Sequence, residues 1–472
     1  MTLAAALFAR RVAAAMDRAV LCLPVDTPLS AVLPAMAEGN RSCVLAVAPD
    51  GRLAGIMTER DIARRIAFRL PPEAPLAAVM SAPAMSVRDD DYLYRAVSRL
   101  RRHDFRHLPV VDADGRPVGV IDFRQVLHAV AESMLLHIDR VGAGTDVDSL
   151  ASAKRAQAAL AGAMLDDGVL ATDAIGIVNE INRDLHRRAL QAALDRHGAP
   201  PAPFTLVVMG SLGRGESLLV PDQDNGFLLA DGAEAHDDWY AGLAATFTTM
   251  LDSIGFPFCK GGVMATNRQW RKPAMAWRDD ALSWIASRSG TAILNADIFF
   301  DFDAVAGDAA KVTELRRPIL EALRQTPAFI AELAAETLRH PVGVTWFNKV
   351  RRDRDGRVDL KLFGLLPLVG AVRLYALAHG VAATGTRPRL AALAELGVLP
   401  AAETANLSAA FDLLAGRILR QQIDDSLAGR PLGTFVSVAT LPARENERLV
   451  EALRAIALLA TRARGDFMGR LI

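Results

Sequence analysis

Two aspartates two residues apart, Asp222 and Asp224, close the stretch GSLGRGESLLVPDQD that begins at Gly210. Paired carboxylates supply the hard oxygen ligands that Mg2+ takes, and such an ion bridges the oxygens of a polyphosphate. At the entrance to a strand, alternation places Asp222 and Asp224 on one face and Gln223 on the other. Gly210, lacking a Cβ, lets backbone N–H groups approach a phosphate, and the Ser211 hydroxyl adds a donor. Arg214 carries a fork of donors suited to phosphate, and Glu216 either orients that fork or reaches the metal shell. The chemistry that suits this set is transfer at a metal-bound triphosphate, which needs positioning and charge neutralisation more than covalent help. The blander alternatives are a solvated turn after Pro221, a plain turn residue at Ser211, and a mutual ion pair between Arg214 and Glu216.

Such residues need strands on both sides. Ala199-Pro200-Pro201-Ala202-Pro203 stops a preceding helix, Phe204 to Met209 reads as a short buried strand running into the glycine turn, and Asn225 to Leu229 reads as a second strand. Upstream, Ala174, Val178, Ile181, Leu185 and Ala189 recur at helical steps. Arg140 to Ser149 reads as a break. After about Gly307 the pattern is helical to the end, interrupted at Arg352 to Asp359 and at Gly385 to Pro388.

The N-terminal quarter repeats itself. Asp50-Gly51-Arg52 with Gly55-Ile56, and Asp114-Gly115-Arg116 with Gly119-Val120, stand at one constant offset. Each copy reads as strand, helix, strand (Cys43 to Val47; His107 to Val111), Asp-Gly turn, strand and closing helix. With PDGRLAGIMTERDI in the first copy and DADGRPVGVIDFRQV in the second, the pair resembles tandem CBS domains, modules that sense adenine nucleotides. That resemblance implies that Thr58 and Asp61 touch phosphate and ribose. The matching positions of the second copy are Asp122 and Gln125, and a carboxylate facing phosphate is repelled, so the second site is expected to be altered or empty.

The order strand, Gly-Ser, Arg, Glu, then Asp-x-Asp entering a strand resembles the polymerase-beta-like nucleotidyltransferases. Within them, VMGSLGRGESLLVPDQDNGFLL, GFPFCKGGVMATNRQWRK, LNADIFFDF, RVDLKLFGLLPLVGAVRLYALAHG and TRPRL resemble the CBS-linked nucleotidyltransferases of bacteria, relatives of the PII uridylyltransferases and glutamine-synthetase adenylyltransferases. The resemblance implies a Mg2+-dependent transfer of a nucleoside monophosphate from ATP or UTP to a hydroxyl acceptor, such as that of a PII-type signalling protein, with an adenine nucleotide as CBS effector and a homodimeric assembly. One part of the superfamily pattern is missing: Lys260 to Thr266 contains no third carboxylate. Asp301 is the nearest substitute, with Asp297 and Asp303 behind it. The alternative is a catalytically silent nucleotide-binding signal-transduction protein.

Composition bounds the rest. The 472 residues are 51% hydrophobic, 23% charged and 6% aromatic, and 54 Lys plus Arg balance 54 Asp plus Glu. A neutral chain has no basic stripe for nucleic acid or an anionic membrane. Cys22, Cys43 and Cys259 form neither a disulfide framework nor a zinc pattern, which fits a reducing cytoplasm. The apolar run Phe363 to Val372 falls short of the roughly 20 residues a membrane span needs. Trp270, Trp277 and Trp284 recur every seven residues, a spacing that favours core packing over a base-stacking stripe. His103 and His107 read as ordinary histidines, Cys259 as structural, and Lys361 and Arg373 as either site-facing or interdomain charges. The expected architecture is multidomain α/β plus α: a leading helix (1–18), tandem CBS domains (19–131, as 19–68 and 80–131), a helical connector (132–200), a small mixed-sheet nucleotidyltransferase core (201–306) and a C-terminal helical bundle (307–472).

Overall fold

The computed structural model describes residues 11–39, 41–62, 70–91, 93–102, 105–122, 147–166, 169–287, 299–345, 349–438 and 441–469. His103, Gln125, Asp297 and residues 1–10 and 140–146, which figure in the expectations above, lie outside them. The chain divides into two compact units, Met1–His137 and Ile138–Ile472.

In the first unit the repeat is structural. β1 (Cys22–Pro24), α1 (Leu29–Glu38), β2 (Cys43–Val47) and β3 (Leu53–Thr58) make one copy; β4 (Val87–Arg88), α2 (Leu93–Arg102), β5 (His107–Val111) and β6 (Pro117–Asp122) make the other. Each copy is a three-stranded sheet, with its first strand parallel and its last antiparallel to the middle one. Registers agree across copies: Cys43 faces Thr58 and His107 faces Asp122, with a bulge at Ala46/Val47 and again at Val110/Val111. Gly51 and Gly115 take φ of 83° and 80° in the Asp-Gly turns, a left-handed conformation that costs other residues steric energy. The start of the chain departs from expectation. Among the described residues before β1 there is a single 3-10 turn, Val12–Ala14, and Asp17 bridges to Val120 as Ser81 bridges to Ile56. Val12 is fully buried, so this segment completes the second copy instead of leading into the first.

The second unit is built on a four-stranded mixed sheet of order β10-β7-β8-β9. Its strands are β7 (Phe204–Val208), β8 (Asn225–Leu229), β9 (Arg271–Pro273) and β10 (Asp303–Ala306). β7 pairs antiparallel with β8 and β10, and β8 pairs parallel with β9. Helices α3 (Val147–Asp166) and α4 (Ala171–His197), expected to connect two domains, pack against α5 (Asp237–Ile254) and against α11 (Ala401–Leu427). They are part of this unit's core, with Ile181 and Leu185 of α4 buried. α6 (Ala274–Ser287) carries Trp277 and Trp284, which pack with the preceding Trp270 and with Phe299, so the tryptophan stripe is core.

The remaining helices are α7 (Ala309–Gln325), α8 (Pro327–Thr337), α9 (Leu366–Ala378), α10 (Thr386–Glu395), α11 and α12 (Ala443–Met468), with a small ribbon of β11 (Arg357–Asp359) and β12 (Phe435–Ser437). The expected interruption at Gly385 to Pro388 is the beginning of α10, where a first-turn proline is tolerated because its missing N–H would have no partner. The apolar run is longer than expected: Lys361–Ala378, a π-turn leading into α9, has the length and composition to cross a membrane, and 67% of it is buried inside this unit.

Candidate active site

β7 ends in a single helical turn, Gly210–Gly213, and the chain returns through Pro221–Asp224 to enter β8. Both ends of this excursion are tied together by the Met209 N–H, which donates to the Asp224 carbonyl at 2.9 Å. Alternation holds as expected: Pro221 and Gln223 are buried, Asp222 is exposed and Asp224 half-buried. Gln223 donates inward to the Thr248 and Phe256 carbonyls. Gly210 sits at φ 59°, and a Cβ there would come within 2.6 Å of Asp224 Oδ2, so this glycine makes room for the carboxylate.

Burial pushes the Asp224 carboxyl up from its ordinary range; the neighbouring charge of Asp222 adds to the rise, while a Cys259 hydrogen bond, Lys361 and Arg214 oppose it. A pair of crowded carboxylates relieves its repulsion by taking up a cation. Mg2+ is commonly held by one or two carboxylates and completes its shell with phosphates and water, so Asp222 and Asp224 fit one such ion. Among the described residues no cluster of three or more His, Cys, Asp or Glu side chains is arranged to hold a metal. Cys259, read as structural, lies against Asp224, and burial with that bond pushes its thiol up to about 11. A cleft of about 60 Å3 beside the turn is lined by Ser211, Arg214 and Glu216 together with Lys361 and Leu366. This brings Lys361 to the motif, a placement its sequence context left open.

Asp301 requires a correction. It is fully buried, with Oδ2 accepting from Arg214 at 2.7 Å and Arg373 at 2.8 Å, and Oδ1 accepting from Arg389 at 2.8 Å. Burial by itself would raise its pKa; the guanidinium charges of Arg389, Arg373 and Arg214 outweigh that and hold it well below the usual carboxylate range. A carboxylate ringed by three cations is not the third metal ligand, because the same cations repel a metal ion. Arg373 thus serves this cluster. Arg214 also donates to Glu216 at 3.0 Å, and Glu216 accepts from the Thr386 N–H and hydroxyl at the start of α10. Arg214 and Glu216 are therefore mutual partners braced against the C-terminal helices, the blander of the two readings. Asp303 pairs with Arg183 at 3.1 Å. A larger cavity of about 610 Å3 surrounds Tyr375 and is lined by none of these motif residues.

In the first unit, Asp61 Oδ2 accepts from the Thr58 N–H at 2.9 Å and hydroxyl at 2.8 Å, fixing both residues on a cavity of about 550 Å3 that also takes in Met85, Phe105 and His107. This is within the range of roughly 300 to 1,000 Å3 typical of small-molecule sites. Asp122 borders a smaller cavity of about 150 Å3, which shares Ser42 and His107 with the first, and lies 3.5 Å from His107 and 3.6 Å from Arg106.

Fold and site together define a nucleotidyltransferase-type domain linked to a CBS pair. Residues 155–291 match the family model "Putative nucleotidyltransferase DUF294", residues 327–467 match "Putative nucleotidyltransferase substrate binding domain", and residues 10–68 and 76–132 each match the CBS domain. The chain belongs to the CBS-linked nucleotidyltransferase family that these models describe. The first model takes in most of α3 and all of α4. The chain is 37% identical over 108 residues to the CBS domain-containing protein CBSCBSPB1 of Arabidopsis thaliana, covering 22% of this chain and 20% of that one. It is 27% identical over 97 residues to an uncharacterized 17.7 kDa protein of Acidianus ambivalens, covering 21% and 58%. These matches span a fifth of the first relative's length and just over half of the second's. Among solved structures, a CBS domain protein from Pyrobaculum aerophilum complexed with AMP is 29% identical, with 24% of this chain and 88% of that one covered and a TM-score of 0.23. An uncharacterized conserved protein from Pyrococcus horikoshii is 21% identical, covering 26% and 92%, with a TM-score of 0.24.

Proposed function

We propose that this protein transfers a nucleoside monophosphate from ATP or UTP to a hydroxyl acceptor, with release of pyrophosphate, under control of an adenine nucleotide bound at Thr58 and Asp61. The observation that carries this reading is the Asp222–Asp224 pair, Asp222 exposed and Asp224 half-buried beside the Gly210–Gly213 turn and tied to that turn by the Met209–Asp224 bond. Asp222 and Asp224 would hold Mg2+, which when bound neutralises phosphate charge and stabilises the leaving group. The Gly210–Ser211 backbone and the Ser211 hydroxyl donate to phosphate oxygens, and Lys361, which lines the same cleft, supplies positive charge. The acceptor oxygen bonds to the α-phosphorus as the bond to pyrophosphate breaks, and the acceptor's hydroxyl proton passes to solvent. The hydroxyl of a protein such as a PII-type signalling protein is the acceptor class we favour, and a cytoplasmic homodimer the setting. A coupling of about 1 to 3 kcal/mol between effector and site suffices for regulation.

A second reading has its own support: the capture of Asp301 by arginines leaves two carboxylates where the superfamily pattern has three, which suits a nucleotide-binding protein that signals without turnover. Purified protein incubated with labelled ATP, UTP, GTP or CTP, Mg2+ and cell extract separates the two. Transfer of label that disappears in Asp222→Asn and Asp224→Asn supports the enzyme. Triphosphate binding lost in both variants, without transfer in the wild type, supports the silent reading, and unchanged binding in both variants defeats the assignment of the site.

A further inference from the structure

Between Arg214 and Asp222 the chain has no regular structure, so the path of Ser217 to Leu219 depends on side chains from elsewhere. Asn179 Oδ1 accepts from the Ser217 N–H at 3.2 Å and from its hydroxyl at 2.8 Å. Asn182 Nδ2 donates to Ser217 Oγ at 2.9 Å and to the Leu218 carbonyl at 3.2 Å. The Leu219 N–H donates to Gln422 Oε1 of α11 at 3.1 Å. The amide of Asn182 is fixed in turn, because its Oδ1 accepts from Lys154 Nζ at 2.7 Å and from Gln157 Nε2 at 2.9 Å. Lys154, Gln157, Asn179, Asn182 and Ser217 are each at most 7% exposed. Lys154 has no carboxylate partner among the described residues; it also donates to Gln157 Oε1 at 3.0 Å and lies 4.1 Å from the Phe256 ring centroid. A buried polar chain of this kind holds one geometry, since breaking any link leaves a desolvated group unmatched.

We propose that Asn179 and Asn182 are positioning residues for the triphosphate site. They set the path of the segment that joins Arg214 to Asp222, and with it the spacing between the phosphate turn and the carboxylate pair. Neither touches a reacting atom. Both lie on α4, so α3 and α4, the helices that follow the CBS pair in sequence, hold the segment on which the site's geometry depends. The inference rests on the reading of Asp222 and Asp224 as a metal-triphosphate site.

The test uses the full chain, α,β-methylene analogues of ATP and UTP with Mg2+, and hydrogen exchange of the Ser217 to Leu219 amides. In Asn179→Ala those amides should exchange faster and analogue affinity should fall about tenfold, while the amides of β7 and β8 keep their wild-type exchange. Ser217→Ala, which deletes one hydroxyl, should lose about threefold and keeps the test intact if Asn179→Ala does not fold. Faster exchange with unchanged affinity, or unchanged exchange, overturns the positioning role alone. A wild type that binds neither analogue overturns the metal-triphosphate reading, and this inference with it.

Discussion

Replacing Asp301 with asparagine would remove one negative charge and almost no volume. Three guanidinium groups would then share a buried site with a neutral amide. Removing one member of a buried ion pair costs about 3 to 5 kcal/mol because the partner charge stays desolvated and unmatched. Here Arg214, Arg373 and Arg389 all contact the same carboxylate within 2.8 Å, so we expect about 5 kcal/mol, a large share of the roughly 5 to 15 kcal/mol that holds a folded domain together. At about 2 to 4 °C per kcal/mol, the melting temperature of Asp301→Asn should fall by about 10 to 20 °C. Removing a cation as well, in Asp301→Asn with Arg373→Met, should recover part of the loss, since the two residues are directly coupled. The sign with pH follows from the lowered pKa. The contribution is present above the ordinary carboxylate range and disappears as pH falls through the lower folded value, so the variant loses this part of the wild type's acid sensitivity. A variant that melts within about 2 °C of the wild type, or above it, would refute the argument. Higher stability is what a carboxylate crowded among other metal-site carboxylates would give on neutralisation.

His186 is buried between Phe247 and Phe256, its Nε2 has no partner among the described residues, and burial pulls its pKa down to about 4. Between about pH 6.5 and 4 the unfolded chain therefore binds the extra proton, so stability should fall by about 3 kcal/mol as pH drops through that window; urea unfolding should show a shallower fall in His186→Leu. Gly210→Ala, with its Cβ within 2.6 Å of Asp224 Oδ2, should weaken Mg2+-triphosphate binding about tenfold while costing about 1 to 2 kcal/mol of stability for the left-handed backbone; calorimetric titration and melting read the two effects separately. AMP at one hundred times its Kd should stabilise the first unit by about 2.7 kcal/mol, and Asp61→Ala should abolish that thermal shift.

What was legible in the sequence was local. Strand alternation places Asp222 and Asp224 together and buries Gln223 without reference to any distant residue, and the repeat offset carries the sheet register of one CBS copy onto the other. The role of Asp301 was not legible, because its three partners lie 72 to 88 residues away and an arginine in a helix carries no mark of the charge it will meet. The helical periodicity of α4 showed that one face is buried but not against what, so a core helix read as a connector. Glu216 is similar: its ion pair with Arg214 is local, but its hold on Thr386 joins positions 170 residues apart. Cys259 carried no signal beyond being a lone thiol, and only the fold brings it to Asp224. The segment before β1 misled because its apolar residues do pack, though into the second copy's sheet.

The brace from Glu216 to Thr386, with the arginines around Asp301, bears on how members of this family exchange parts. The first family model ends at residue 291 and the second begins at 327; Asp301, between them, is completed by Arg214 from the first region and by Arg373 and Arg389 from the second. A chimera joined between Asp301 and residue 327 would pair an Arg214, Glu216 and Asp301 from one parent with a Thr386, Arg373 and Arg389 from another. Any mismatch would leave a bare charge in the core. Recombination that respects these six positions should give foldable hybrids, and the helical half should drift in sequence only as far as Arg373 and Arg389 stay matched to Asp301.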